Sequence, residues 1–406
     1  MSEKPEEPAE ERHASWLELF FDLVAVAGVG QLSHLVHGST SWADVGLYVV
    51  CFLAFWTAWM CFTVYGNVAG GAARTMPVLL AMAGLVVMAA SVTGVHGDHA
   101  KVFALAYIAV RVLSDRVWEN RREGPRVLVD WPVAQLGFGV TPWVASLWTP
   151  EPWRYWLWAL GVLIDLLVTF TLSGDRLALN LEAKMSSRRA PAVPATAAHL
   201  DTAHFGERLG LFTIIVLGEG VLTVTDAMAE TPDWNGPLLW TAFAALAVLA
   251  TLWSAALREG NGGIPYLAAD RLKPRVLLPL HCLVAGLLAA FASGLGDAVE
   301  AVGHEHLEPS TRWLLAGCVA ALAVIGALCG LRSGRHAWWA VVVLAPGLAL
   351  PAVIAFSGGG LAPARVLWLL VLAAGAGLSG WFFDRRKHRH HRNRRTDEAE
   401  RVLRLD

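Results

Sequence analysis

Charge is scarce in this chain. Asp, Glu, Lys and Arg make up 16% of its 406 residues, against about 25% in an ordinary soluble domain. That is too little polar surface to coat a globule of this size in water. Cysteine is sparse too: Cys51, Cys61, Cys282, Cys318 and Cys329 all lie in apolar stretches, and none forms a CxxC pair. This excludes a disulfide framework and a zinc site. The signatures of soluble catalysis are missing, with no GxxxxGK[ST] phosphate loop, no HExxH and no GxSxG elbow. His304-Glu305-His306 offers two metal-capable side chains in an acidic loop, too few for a built site. A basic leader followed by a short apolar core is absent as well: Ser2 to Glu11 is acidic and polar. The first apolar segment is therefore expected to insert and stay as a membrane helix. On these grounds the chain is not expected to be an enzyme, and neither a cofactor nor a metal is implied.

What is present is apolar and long. Hydrophobic residues reach 55% and gather into runs of about 20, the length that crosses a hydrocarbon layer about 30 Å thick. Continuous apolarity predicts helices, because a barrel strand would alternate over about 10 residues. Twelve spans are expected, at 16–36, 44–65, 76–95, 101–118, 127–147, 154–172, 208–229, 237–257, 275–294, 311–331, 337–356 and 363–383. Several of the 19 tryptophans, Trp16, Trp42, Trp131, Trp153, Trp234, Trp313 and Trp338 among them, flank these runs as an interfacial belt would. Alternate loops hold most of the Lys and Arg, whereas the intervening ones carry only Lys101, Arg154, Arg312 and Arg365. By the positive-inside rule both termini face the cytoplasm, and the expected location is the inner (plasma) membrane.

The two halves resemble each other. Span 2 ends Tyr65-Gly66-Asn67 and span 8 is followed by Glu259-Gly260-Asn261; spans 6 and 12 open with Pro152-Trp153-Arg154 and Pro363-Ala364-Arg365. Spans 5 and 11 carry prolines, Pro142 and Pro351. The reading is an all-α polytopic membrane helix bundle of two parallel six-helix repeats, related by an axis along the membrane normal. Its parts are a cytoplasmic N-terminal tail (1–15), a first repeat (16–172), a cytoplasmic linker (173–207), a second repeat (208–383) and a basic cytoplasmic tail (384–406). The tail holds Arg385 to Arg395 directly after a membrane helix. Its expected partners are the lipid bilayer and anionic lipid headgroups, at about 1 kcal/mol per cation, and no nucleic acid.

Ionisable residues inside apolar runs are the candidate site, since each uncompensated charge there costs several kcal/mol. Glu18 and Asp22 stand four apart on one helical face, with Gln31 near the same stripe. They read as a cation or proton path, or as an anchoring network with Arg or His of neighbouring helices. Glu219 lies eleven residues past Arg208, about 16 Å along a helix axis at 1.5 Å per residue. It sits between Gly218 and Gly220, as an ion or substrate contact or a hydrogen-bonded buried acid. Asp165 is comparably deep and needs a partner. Arg111 and Asp115, four apart, read as a local pair, or Arg111 as a partner for Asp22 or Asp130. His281 reads as a satisfied core histidine or a proton-transfer group.

The segments Trp16-Leu17-Glu18-Leu19-Phe20-Phe21-Asp22-Leu23-Val24 with Gln31-Leu32-Ser33-His34, and Glu207-Arg208-Leu209-Gly210-Leu211-Phe212 through Glu219, resemble the signature segments of the bacterial low temperature requirement protein A family. His281 to Gly294 is similar to a third. The resemblance implies a multi-pass membrane protein without a settled activity. The leading expectation is a transporter or channel for an unknown small ion or solute, with a polar site between the repeats built from Glu18, Asp22, Gln31, Asp165 and Glu219. The alternative is a non-transporting scaffold or stress and cold-adaptation protein whose carboxylates are structural.

Overall fold

The computed structural model describes residues 13–36, 41–119, 126–129, 131–135, 137–171, 195–198, 200–302 and 306–378. The chain is helical almost throughout, as long apolar runs require: backbone in hydrocarbon finds no water, and a helix satisfies its amides internally. Among the described residues nine helices are long and apolar enough to cross a membrane, so this is a multi-pass membrane protein. The helices of the first half are α1 (Trp16–Gly30), α2 (Trp42–Ala69), α3 (Thr75–Ser91), α4 (Ala100–Glu119), α5 (Val140–Ser146) and α6 (Trp153–Thr171). Those of the second are α7 (Thr202–Glu230), α8 (Gly236–Trp253), α9 (Pro274–Glu300), α10 (Pro309–Arg332), α11 (Ala337–Ser357) and α12 (Pro363–Gly375). One short parallel pair of strands, β1 (Arg126–Val129) with β2 (Ala195–Ala198), interrupts the helical pattern.

These elements form two compact units. The first takes the chain up to Thr223 together with Leu272–Ser293, and the second takes Val224–Arg271 and the chain from Gly294. In the first unit α1 and α2 each begin with a capping box. Ser15 Oγ accepts from the Glu18 amide while the Glu18 carboxylate accepts from the Ser15 amide at 2.8 Å, and Ser41 and Asp44 repeat the arrangement. Such a cap satisfies orphan amides at the first turn. Helix α2 packs against α1, α4 and α6. It is buried along most of its length, which is why its sequence is apolar on every face. In the second unit α10 packs against α11, and α8 against α12. There Arg335 lies over the Trp339 ring at 4.6 Å and pairs with Glu259 at 3.1 Å.

The sequence reading and the structure part at three places. The expected span 127–147 is not one helix. It divides into β1, a 3-10 turn at Pro132–Ala134 and the seven-residue α5. Pro132, Gly137 and Gly139 break the run despite its apolarity, and Pro142 falls in the first turn of α5, where a missing amide costs little. Helix α7 begins at Thr202 rather than 208, because Asp201 Oδ1 accepts from the amides of Ala203 and His204 at 3.1 and 3.2 Å. The linker expected over 173–207 therefore loses its last residues to a helix, and its stretch 173–194 lies outside the described residues. Helix α4 is 20 residues long but too charged, through Lys101, Arg111, Asp115 and Arg116, to count among the nine. The tails 1–12 and 379–406, Asp130 and His304 also lie outside the described residues.

Helices α5 and α6 cross where Gly139 and Gly161 meet. A Cβ at Gly161 would press on the Gly139 carbonyl and the Trp143 ring, beside the parallel stack of Trp143 on Trp158, 4.8 Å between centroids. Small residues at such crossings let backbones approach, and this one fixes the height of Asp165, one turn further along α6. Gly161→Ala is expected to destabilise the protein by about 1–3 kcal/mol through overpacking, read as a lower midpoint of thermal unfolding in detergent.

Candidate functional site

The described ionisable residues marked inside apolar runs fall in the first unit, where all but Asp115 separate into three buried polar groups and a pocket. The largest group joins α1 to α7. Arg208 grips Asp22 with one edge of its guanidinium: Nη2 donates to Oδ1 at 2.5 Å and Nε to Oδ2 at 2.9 Å. Its Nη1 lies 3.0 Å from Glu18 Oε1. Trp59 Nε1 on α2 donates to Asp22 Oδ1 at 2.6 Å. His204, one turn before Arg208, puts Nε2 3.4 Å from Glu18 Oε2. The other ring nitrogen of His204 faces Asn67 Nδ2 at 3.0 Å. As Asn67 Nδ2 can only donate, this pairing leaves the His204 proton on Nε2, pointed at the carboxylate. Asn67 also donates to the Asp201 carbonyl and accepts from the Asp201 amide, at 3.1 and 2.9 Å, tying the end of α2 to the start of α7.

Asp22 and Arg208 are 0% and 1% exposed. Two charges removed so completely from water persist only when the geometry is bidentate and the remaining lone pairs are met, and here Trp59 and Glu18 meet them. This group is a clamp.

A second clamp joins α4 to α6. Arg111 Nη1 donates to Asp165 Oδ2 at 2.5 Å and to the Tyr107 hydroxyl at 3.0 Å, and Nη2 donates to the Val133 carbonyl at 3.2 Å. The partner that Asp165 needs is thus Arg111, and Arg111 reaches across to α6 instead of along its own helix to Asp115. Asp115 is half-buried and sits against Gly137, where a Cβ would meet its carboxylate.

His281 on α9 forms the third group. Trp56 Nε1 donates to its Nδ1 at 3.2 Å, so its Nε2 carries the proton toward the Leu209 carbonyl at 3.1 Å. Both ring nitrogens are satisfied by neutral partners, and the imidazole is packed among Trp56, Trp59 and Phe212. It bridges α2, α7 and α9 as a core histidine.

Glu219 stands apart from these groups. Two turns beyond the clamp, α1 and α7 still touch, and a Cβ on Gly30 would overlap the Glu219 carboxylate. Since Asp22 meets Arg208 and Gly30 meets Glu219, both helices advance in the same direction along their seam. They are parallel neighbours. Here they and α9 enclose a pocket walled by Val26, Val29 and Val216, with Ser33, Glu219, Thr223 and Ser293 as its polar lining. It admits a water-sized sphere over ≈ 10 Å³, about the room one water molecule takes. Thr223 Oγ1 donates to the Ala292 carbonyl at 2.9 Å. Neither Asp22 nor Asp165 lines this pocket, and Gln31 is exposed and also absent from it. Of the five residues expected to form one polar site, the structure thus joins Glu18 with Asp22 in a clamp and gives Asp165 to another. It leaves Gln31 outside and sets Glu219 in the lining of the pocket.

Sequence reasoning missed Trp59, Asn67, His204, Ser33 and Ser293. His204 had a signal, being four residues before Arg208 and so on its face. Ser293 had none, as a lone serine in an apolar run is unremarkable.

A family model described as Bacterial low temperature requirement A protein (LtrA) matches residues 13–379. The uncharacterized protein RA0937 of Rhizobium meliloti (strain 1021) is 26% identical over 275 residues, 66% of this chain and 64% of that relative. The match therefore spans less than two thirds of the relative's own length, and its name assigns no activity.

Two substitutions separate clamp from pocket. Asp22→Asn leaves buried Arg208 with only Glu18 as counter-charge and is expected to remove roughly 3 kcal/mol of stability. The double variant Asp22→Asn with Arg208→Gln should lose less than the sum of the singles, measured by unfolding in detergent. Gly30→Ala is expected to destabilise by about 1–3 kcal/mol because the new methyl displaces the Glu219 carboxylate. Combining it with Glu219→Ala should recover most of that loss in the same assay.

Proposed function

The chain belongs to the bacterial low temperature requirement A family, and we propose that it is a transporter or channel for an ion or small solute whose contact site is the Glu219 pocket. One observation carries this reading: Glu219, on a membrane helix, lines a pocket whose other polar side chains are the hydroxyls of Ser33, Thr223 and Ser293. A carboxylate within a membrane helix is retained against a desolvation cost. Where it also borders a cavity, binding of something small and polar accounts for it. The protein's role in this reading is non-enzymatic.

The wider architecture in this proposal is twelve spans in two parallel six-helix repeats. The parallel seam of α1 and α7 supports it, since these are the corresponding first helices of the two halves. Segregation of Lys and Arg supports cytoplasmic termini in the plasma membrane, with the basic tail against anionic headgroups. A second reading, a non-transporting scaffold for membrane function under cold or stress, draws support from the two closed clamps, which serve rigidity alone.

Reconstituted in liposomes, the wild-type protein is expected to pass at least one of a panel of alkali cations, protons and small uncharged solutes. Glu219→Gln should lower that flux roughly tenfold or more, the loss of one interaction with a charged group. Flux equal to that of protein-free liposomes across the whole panel overturns transport and leaves the scaffold.

A further inference from the structure

The chain between α8 and α9 does not run over the surface as connecting segments usually do. Residues 262–267 are all buried, and they enter the end of the helix bundle at which α8 and α10 finish and α11 begins. This segment and everything it packs against belong to the second unit, and none of it lines the Glu219 pocket. We propose that residues 260–267 form a plug that swings out to open this end of the unit, held shut by a latch centred on Arg335.

Tyr266 fills the opening. Its ring lies against Gly326, where a Cβ would meet it at 2.9 Å. Gly326 is six residues before the last residue of α10, so the ring sits about 9 Å in from that helix end at 1.5 Å per residue. The hydroxyl lies against Gly377, and the ring shares a buried cluster with Ala255, Ala323 and Ala327. Glycine and alanine make these walls, so withdrawal of Tyr266 leaves a space that no neighbouring side chain is long enough to fill.

The inserted position works against itself in two ways. Tyr266 has φ +58°, in the left-handed region that a bulky side chain rarely adopts and that persists only where packing enforces it. Its hydroxyl, on a residue 4% exposed, has no hydrogen-bond partner, although water would supply one at once. Outward movement relieves both. The means of moving are built in on the side of α8: Gly262 and Gly263 stand at φ 58° and 75°, where glycine turns freely. Before them α8 widens into the π turn Ser254–Arg258, an element that clusters at functional sites. The Ala255 carbonyl in that turn accepts from the Tyr266 amide at 3.2 Å.

Opposing release is the short turn between α10 and α11, which fastens both ends of the plug. Arg335 Nη2 donates to Glu259 Oε2 at 3.1 Å, at the plug's entry. Its guanidinium carbon lies 5.1 Å from the centroid of the Tyr266 ring and 4.6 Å from that of Trp339, a bracketed cation–π arrangement. At the exit Ser333 Oγ accepts from the Ala268 amide at 2.8 Å. The Arg335 side chain is 27% exposed, whereas Arg111 and Arg208 of the first unit are 0% and 1%. An ion pair in reach of water breaks at far lower cost than a buried one, which suits a latch as the buried pairs suit a clamp.

Native thiols of the full-length protein in detergent provide the test, alkylated with a maleimide and read at each cysteine by mass spectrometry. Cys329 lies on α10 three residues past Gly326 and is 6% exposed. Cys51 and Cys282 are buried in the first unit and report global unfolding. Where opening and closing are fast, labelling follows the population of the open form. Arg335→Gln should therefore speed labelling of Cys329 roughly tenfold or more, the loss of an interaction with a charged group. Cys51 and Cys282 should keep their wild-type rates. Gly326→Ala reaches the plug without touching the latch, because its methyl presses on the Tyr266 ring, and the same selective rise at Cys329 is expected. Labelling of Cys329 that stays at the wild-type rate in either variant, or that rises only together with Cys51 and Cys282, overturns the plug. Gly326→Ala decides by the same criterion should Arg335→Gln not fold.

Discussion

The first unit depends on one constraint: a charge that leaves water for the interior of a helical bundle must bring its counter-charge with it. Asp22 obeys it through the two-pronged grip of Arg208, and Asp165 through Arg111. Each pair joins helices that the chain reaches at different times. The first brings α7, from the second half of the sequence, against α1; the second closes α4 onto α6. Non-specific apolar packing alone would leave helices free to rotate about their axes. A buried ion pair penalises rotation by the full desolvation of two charges.

With rotation fixed, the α1 and α7 seam acquires a definite pattern along its length. Glu18, Asp22, Val26 and Gly30 recur every four residues on one helix, and His204, Arg208, Phe212, Val216, Glu219 and Thr223 line the facing stripe of the other. The clamp lies at one end and the pocket with Glu219 at the other, with valine and phenylalanine between. The same two elements therefore build the clamp and the pocket without sharing residues. Pocket side chains carried on helices held this firmly keep their positions.

Much of this was legible in sequence, and the limits have physical causes. Membrane helices announce themselves because hydrocarbon thickness imposes a length, and the residues bearing chemistry stand out because charge is costly there. Pairing is not legible. Asp22 and Arg208 are 186 positions apart, and sequence spacing says only which residues share a face of one helix. The stretch 127–147 misled because apolarity was weighed above Pro132, Gly137 and Gly139, whose backbone preferences won. Gln31 was grouped with the carboxylates on helical periodicity, yet α1 turns into a 3-10 helix at that residue, which resets the angle per residue. Ser293 could not be singled out, since its interest lies in what surrounds it.

The capping box of α1 has a consequence for how the protein opens. Glu18 Oε2 accepts from the Ser15 amide and hydroxyl, while Oε1 faces Arg208. One carboxylate thus terminates a helix and fastens it to a neighbour 190 residues away. Unwinding the first turn of α1 removes a counter-charge from Arg208, and loosening α7 removes the ion pair that holds the capping carboxylate in place. The first turns of α1 and α7 are therefore coupled: fraying of one loosens the other.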